Sequence, residues 1–246
     1  MIPGEHNMKR NFINKIRAGI FTFILLITIV MSQHTSAQTT VSDLPLQILP
    51  VTGAKSTLII FLTGDGGWNR FSRELCNKIS GMGYNLVALD SRKYFWKEKT
   101  PDKFTQDVSS LVKYYQGKWH INHWVLVGYS FGADVVPFFS DNLKSSASVN
   151  LPGASIMISP FSSTNFEVKL EDMIADVPSK GKYDVLSALQ KTPTPTLVVY
   201  AADEAYKLPV IKNNRSLKFE ELPGGHHYNE DIDSLAGHII TFIRKY

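Results

Sequence analysis

Apolar runs recur along this chain, and the period within each run separates strands from helices. Residues 44–51 (LPLQILPV) alternate apolar with polar around two prolines. That predicts an edge strand paired on one side, because proline lacks the amide that a central strand must donate. Residues 57–63 (TLIIFLT) are apolar without a break, as in strands buried on both faces in a parallel sheet. Residues 70–81 read as a helix closed by glycine, and residues 84–89 (YNLVAL) as the next strand, ending at Asp90. Residues 101–116 open with Thr100-Pro101 and carry Phe104, Val108, Leu111, Val112 and Tyr115 at spacings of three and four, an amphipathic crossover helix. A strand over residues 124–127, a helix over 131–142 and a buried strand over 154–158 (ASIMI) follow. Residues 161–190 fit no single period, although residues 166–170 (FEVKL) alternate like a short exposed strand. They read as an excursion near the site. Strands over residues 196–200 and 217–222 and an amphipathic helix over 235–246 complete the chain.

Continued alternation of strand and helix predicts an α/β fold: a mostly parallel, doubly wound sheet with helices on both faces. No internal repeat or linker divides it, so residues 38–246 form one expected domain. Ligands of such sheets bind beyond the carboxyl ends of the strands. The residues with chemical potential fall there: Asp65, Asp90, Ser130, Asp203 with Glu204, and His226 with His227.

Among these, Ser130 stands in Gly128-Tyr129-Ser130-Phe131-Gly132, a GxSxG between strand and helix. Alone it is a weak match; in this context it fits a nucleophile elbow, with small residues two before and two after the serine. A serine hydroxyl needs a general base. The candidates are His226 and His227 in the loop after the last strand, where the order Ser, Asp/Glu, His places the base. His227 is taken first because it follows a PGxx-like turn and precedes the aromatic Tyr228; His226 is the alternative. The imidazole needs a carboxylate to hold its tautomer, and Asp203, with Glu204 as the alternative, ends the preceding strand. An oxyanion needs two preset amides, assigned to Phe131, directly after the nucleophile, and to Asp65 in Gly64-Asp65-Gly66-Gly67. The whole predicts an α/β-hydrolase fold with little or no cap. Without GxxxxGK[ST] or further ligands at metal spacing, neither a nucleotide, a metal nor another cofactor is expected.

Charge and composition change the picture at the amino terminus. Lys9, Arg10, Lys15 and Arg17 precede an uncharged apolar run over residues 18–31 and a polar stretch ending Thr35-Ser36-Ala37, the order of a secretory signal peptide. Residues 1–37 are expected to be this leader, cleaved before Gln38. The run is short of the ~20 residues of a spanning helix, and an uncleaved inner-membrane anchor is the alternative. The remaining chain holds 22 Lys+Arg against 21 Asp+Glu, a net charge of +1. No basic block interleaved with aromatics remains, so a nucleic-acid partner is not expected. The single cysteine, Cys76, reads as a small core residue. Export without disulfides fits a bacterial periplasm.

Four segments, TGDGGW (residues 63–68), LDSRKYFW with KTPD (89–102), GYSFGADVVP (128–137) and LPGGHHY (222–228), together resemble the bacterial virulence protein VirJ family, which includes the AcvB carboxy-terminal domain. The resemblance implies a periplasmic α/β hydrolase linked to virulence and type IV secretion, with secretion-system proteins as possible partners. AcvB-like members hydrolyse lysyl-phosphatidylglycerol. By that resemblance the substrate is an aminoacyl lipid ester at the membrane surface, which asks for a carboxylate near the amine (Asp65, Asp90 or Asp134) and an apolar wall (Tyr94, Phe95 and Trp96). A general carboxylesterase or thioesterase, and a noncatalytic module assisting secretion, are the rival expectations.

Overall fold

The structure is a computed structural model that describes residues 40–143, 149–169 and 180–246. The expected leader, residues 1–37, and Leu170 of the alternating FEVKL segment lie outside the described residues. Strands β1 (Leu46–Leu49), β2 (Thr57–Leu62), β3 (Asn85–Leu89), β4 (His123–Tyr129), β5 (Ala154–Ile158), β8 (Thr196–Ala201) and β9 (Leu217–Leu222) form a seven-stranded sheet in the order β1-β3-β2-β4-β5-β8-β9. Only β1 is antiparallel. Pro45 and Pro50 flank it, as an edge strand allows.

The period of two in the central strands is read out as two cores. Leu58, Ile60 and Leu62 of β2 face one layer, and Ile59 and Phe61 the other. The first layer is made by α3 (Pro101–Trp119), α4 (Phe131–Leu143) and the short α5 (Val185–Lys191). The second is made by α1 (Arg70–Gly81) and α6 (Ile232–Ile243), with Cys76 fully buried inside it. Strands covered by helices on both faces have no solvent side, which is why they read as unbroken apolar runs.

Caps set the helix starts. Asn69, Thr100 and Asp231 each accept a backbone N–H three residues on. The crossover helix α3 runs to Trp119, past its expected end, and stops where His120 turns left-handed at φ 56°. The one-turn helix α2 (Ser91–Tyr94), capped by Asp90, was too short to carry a periodic signal.

The excursion departs from expectation. Pairing is made by β6 (Ser163–Thr164) with β7 (Tyr183–Asp184), not by the described residues 166–169. Phe166 sits at φ 54° and is fully buried, packed against Phe95, Phe104, Phe138 and Tyr183. Its alternating neighbours therefore mark a plug of the first core rather than an exposed strand.

Strand order runs one way from β2 to β3 and the other way from β2 to β4, so the topological switch lies between β2 and β4. The loops leaving those two strands, residues 63–69 and Ser130, meet at that crevice, where α/β sheets hold their ligands.

Candidate active site

β4 hands over to α4 at Ser130, which is 7% exposed and held at φ 52°. A non-glycine residue in this region stores strain that the surroundings must offset. The Ser130 amide donates to the Ile158 carbonyl at 2.8 Å, and the Ser130 carbonyl accepts from Ala133 and Asp134. The turn is thus pinned from both sides. A Cβ at Gly128 would stand 2.3 Å from the Gly132 carbonyl oxygen, and one at Gly132 2.4 Å from the carbonyl oxygens of Leu62 and Thr63. Both glycines of GxSxG are therefore needed for strand and helix to approach.

His226 Nε2 lies 3.1 Å from Ser130 Oγ, and its Nδ1 lies 2.6 Å from Glu204 Oε1. Glu204 stands just beyond β8, and its Oε2 accepts the Ala201 amide at 3.0 Å. A carboxylate anchored through one oxygen presents the other to the ring in a fixed direction. Tyr129, inside GxSxG, donates its hydroxyl to the His226 carbonyl at 3.1 Å and lays its ring 5.2 Å from the imidazole.

The first choices for base and acid are not the residues that the structure brings together. His227 is exposed and lies against Phe71, at 5.4 Å between ring centroids. Desolvation, with His226 beside it, lowers its pKa from the ordinary histidine value. Asp203 is exposed, and its contribution is an amide that donates to the Gly224 carbonyl at 3.0 Å. The direction of the histidine pair is set by Tyr228, which is buried and donates its hydroxyl to the Val199 carbonyl at 3.2 Å while pairing with Ser159 at 2.8 Å. Residues 226 and 228 then share the inward side of the turn, and residue 227 faces out. Of the two acids, it is Glu204 that folds back to the Ala201 amide and also reaches the imidazole.

Both amides assigned to the oxyanion, those of Phe131 and Asp65, donate to no protein acceptor among the described residues. Gly64 brings the Asp65 loop against the nucleophile, since a Cβ there would stand 3.3 Å from Ser130 Cβ. The Asp65 carboxylate accepts the Gly66 amide at 2.9 Å, and the Gly67 amide closes the turn onto the Gly64 carbonyl at 3.0 Å.

Ser130 and His226 open on a cavity of about 530 Å³, whose lining among the described residues includes Asp65, Asp134, Glu167, Asp203 and Glu204 against a single lysine, Lys169. Asp134 is 4% exposed. One of its oxygens accepts the Phe161 amide at 2.6 Å; the other has no protein partner among the described residues. Burial pushes its pKa well above the ordinary carboxyl value, the Phe161 amide opposes that, and Asp65 adds to it.

Asp90 and Trp96 do not share this cavity. Asp90 is buried and caps α2, while Trp96 is 50% exposed on a neighbouring groove. Tyr94 and Phe95, expected as an apolar wall, are core: the Tyr94 hydroxyl donates to Asp107 at 2.7 Å, and Phe95 is fully buried. Residues the sequence reading missed stand instead in the lining, including Phe161 stacked on Tyr206 at 5.7 Å, and Glu167. They arrive with the excursion, whose path no local period foretells. Among the described residues no group of three or more His, Cys, Asp or Glu side chains is placed to hold a metal ion.

With this geometry in hand, comparisons with known proteins locate the chain. Residues 56–246 match the model of the family described as bacterial virulence protein (VirJ). Solved structures of similar fold include Est1E from Butyrivibrio proteoclasticus with ferulic acid bound (TM-score 0.59, 16% identity, 82% of this chain and 94% of that one). A serine hydrolase without lid from Xanthomonas campestris is similar at TM-score 0.56 and 14% identity, over 81% and 87% of the two chains. A proline iminopeptidase from Mycobacterium smegmatis is similar at TM-score 0.58 and 12% identity, over 81% and 94%. Likeness at these identities establishes the α/β-hydrolase fold. No curated protein matches in sequence.

Proposed function

Since the chain belongs to the bacterial virulence protein (VirJ) family, whose region here includes Ser130, Glu204 and His226, we propose that it is a serine hydrolase of esters. One observation carries this reading: the unbroken relay from Ser130 Oγ to His226 at 3.1 Å and from His226 to Glu204 at 2.6 Å. Ser130 Oγ attacks the ester carbonyl carbon as its proton passes to His226 Nε2. Glu204 keeps Nδ1 protonated and stabilises the imidazolium. The amides of Phe131 and Asp65 receive the oxyanion. Collapse of the tetrahedral intermediate breaks the bond to the alcohol, which leaves with the proton from His226. Water then gives a proton to His226 as its oxygen attacks the acyl-serine, and Ser130 recovers that proton when the acid departs.

The substrate we favour is the aminoacyl ester of an aminoacyl-phosphatidylglycerol, met at the periplasmic face of a membrane after export directed by residues 1–37. The excess of carboxylates over lysine among the described residues of the cavity supports a substrate bearing a cationic amine. The half-partnered carboxyl of Asp134 is its best-placed neighbour. An ammonium beside it favours the carboxylate form. Binding of a cationic ester then releases a proton, and KM rises as pH falls, whereas KM for a neutral ester does not. The decisive test is purified protein with aminoacyl-phosphatidylglycerol. Release of the amino acid is expected, with loss of that release in Ser130→Ala and of fluorophosphonate labelling at Ser130. Undiminished release by Ser130→Ala would sink the reading, and absence of labelling would favour a noncatalytic binding module.

A further inference from the structure

A second concavity adjoins the first. Gly66 lines both, and the second is otherwise walled by Trp68, Asp90, Arg92, Lys93 and Trp96, with Gln47. Its aromatic and cationic side chains stand on a rigid base. Tyr94 and Phe95 are buried with their rings in edge contact at 4.6 Å, so the residues on either side of them, Arg92, Lys93, Trp96 and Lys97, are turned to solvent. A Cβ at Gly67 would stand 3.1 Å from Arg92 Cβ, which places that arginine against the glycine loop of the nucleophile's cavity.

The charge is one-sided. Arg92 and Lys97 have no acidic partner among the described residues, and Lys93 is 3.6 Å from the buried Asp90. The acid of the same segment, Glu98, faces Lys182 at 3.9 Å. A half-exposed tryptophan flanked by exposed cations that outnumber the acids beside them is the composition that settles at a bilayer interface. The indole takes the headgroup level and the cations take lipid phosphates, the guanidinium through two parallel hydrogen bonds.

We propose that this groove docks the protein on the surface of a bilayer containing anionic phospholipid, beside the mouth of the Ser130 cavity. The proposal rests on the reading above only for its purpose, the delivery of a lipid ester to Ser130. Docking itself follows from the groove.

The test is sedimentation of the full chain with vesicles of phosphatidylcholine alone or mixed with phosphatidylglycerol, in low and high salt. Residues 1–37 are common to every variant, so differences between variants report the groove. Partitioning onto the mixed vesicles should weaken on the order of thirtyfold in the double variant Arg92→Gln, Lys93→Gln, and should weaken for the wild type as salt screens the surface charge. Brominated phosphatidylglycerol should quench tryptophan emission in the wild type and less in Trp96→Phe. Arg92, Lys93 and Trp96 are exposed, and thermal melting checks that the fold is kept. Ser130→Ala should bind like the wild type, so a failure of the esterase reading leaves docking standing. Equal partitioning of wild type and double variant, equal quenching of wild type and Trp96→Phe, or equal binding to neutral and anionic vesicles each overturns the proposal.

Discussion

The two concavities on either side of the glycine loop share Gly66 and little else. Around Ser130 the polar groups are fastened: Glu204 by the Ala201 amide, His226 by Glu204 and Tyr129, and the elbow by Ile158. Around Trp96 the cations end long exposed side chains, and among the described residues only Lys93 of these has an acid near it. Proton transfer demands a fixed separation, whereas attraction to a charged surface demands only the right sign of charge within a screening length. The first region is accordingly built from strand ends and hydrogen bonds, and the second from one helical turn and charge.

The contrast breaks most sharply at the relay. Ser130→Ala or His226→Ala should lower kcat on an activated ester by about 10⁴- to 10⁶-fold, measured by product release, with vesicle binding intact. Next, Glu204→Gln should cost about 10³- to 10⁴-fold, because the amide still serves Ala201 but leaves the imidazolium without a counter-charge. Asp203→Asn should leave kcat nearly unchanged, and equal losses at the two acids would refute the assignment. Gly128→Ala should lower stability by about 3 kcal/mol in denaturant unfolding, because its methyl meets the backbone at Gly132; relaxation at so central a turn should also slow catalysis.

Asp134→Asn sharpens the comparison in the pH dependence of stability. The folded state holds the Asp134 proton above the pH at which the unfolded chain releases it. Relative to Asp134→Asn, wild-type stability should therefore fall as pH rises from about 4, the ordinary carboxyl value, through the raised folded-state pKa. Thermal melting across that range should show a shallower decline in Asp134→Asn. A small effect is also expected at His227→Ala, within about twofold of wild-type kcat, since its ring edges the cavity against Phe71 while His226 makes both bonds of the relay.

Strands, crossover helices and Ser130 were legible because each rests on a local rule: unbroken apolar runs, spacings of three and four, and glycines two residues to either side of a nucleophile. The two doublets were legible only as doublets. Choosing Glu204 required knowing that it must also hold the Ala201 amide, and choosing His226 required knowing that Tyr228 is drawn inward by Ser159 and Val199. Both facts are contacts between distant segments. The excursion was opaque for the same reason, because Phe166 owes its place to four aromatic neighbours from elsewhere in the chain. Trp96 was expected with Tyr94 and Phe95 in an apolar wall of the Ser130 cavity and lines the neighbouring groove instead, since the burial of Tyr94 and Phe95 beside it decides which way it points.

The strand ends after β8 and β9 are fastened to each other: the Ala202 amide donates to the Leu222 carbonyl at 2.8 Å and the Asp203 amide to Gly224 at 3.0 Å. Residues 205–216 therefore leave from a closed clasp that already fixes Glu204 and His226, and cross to the other end of the two strands, where the Thr196 amide donates to the Ser216 carbonyl at 2.8 Å as β9 begins. Tyr206, which walls the cavity against Phe161, belongs to that outer span. Its length and side chains can diverge between descendants of this fold, altering which molecules are admitted, while the relay beneath is inherited unaltered.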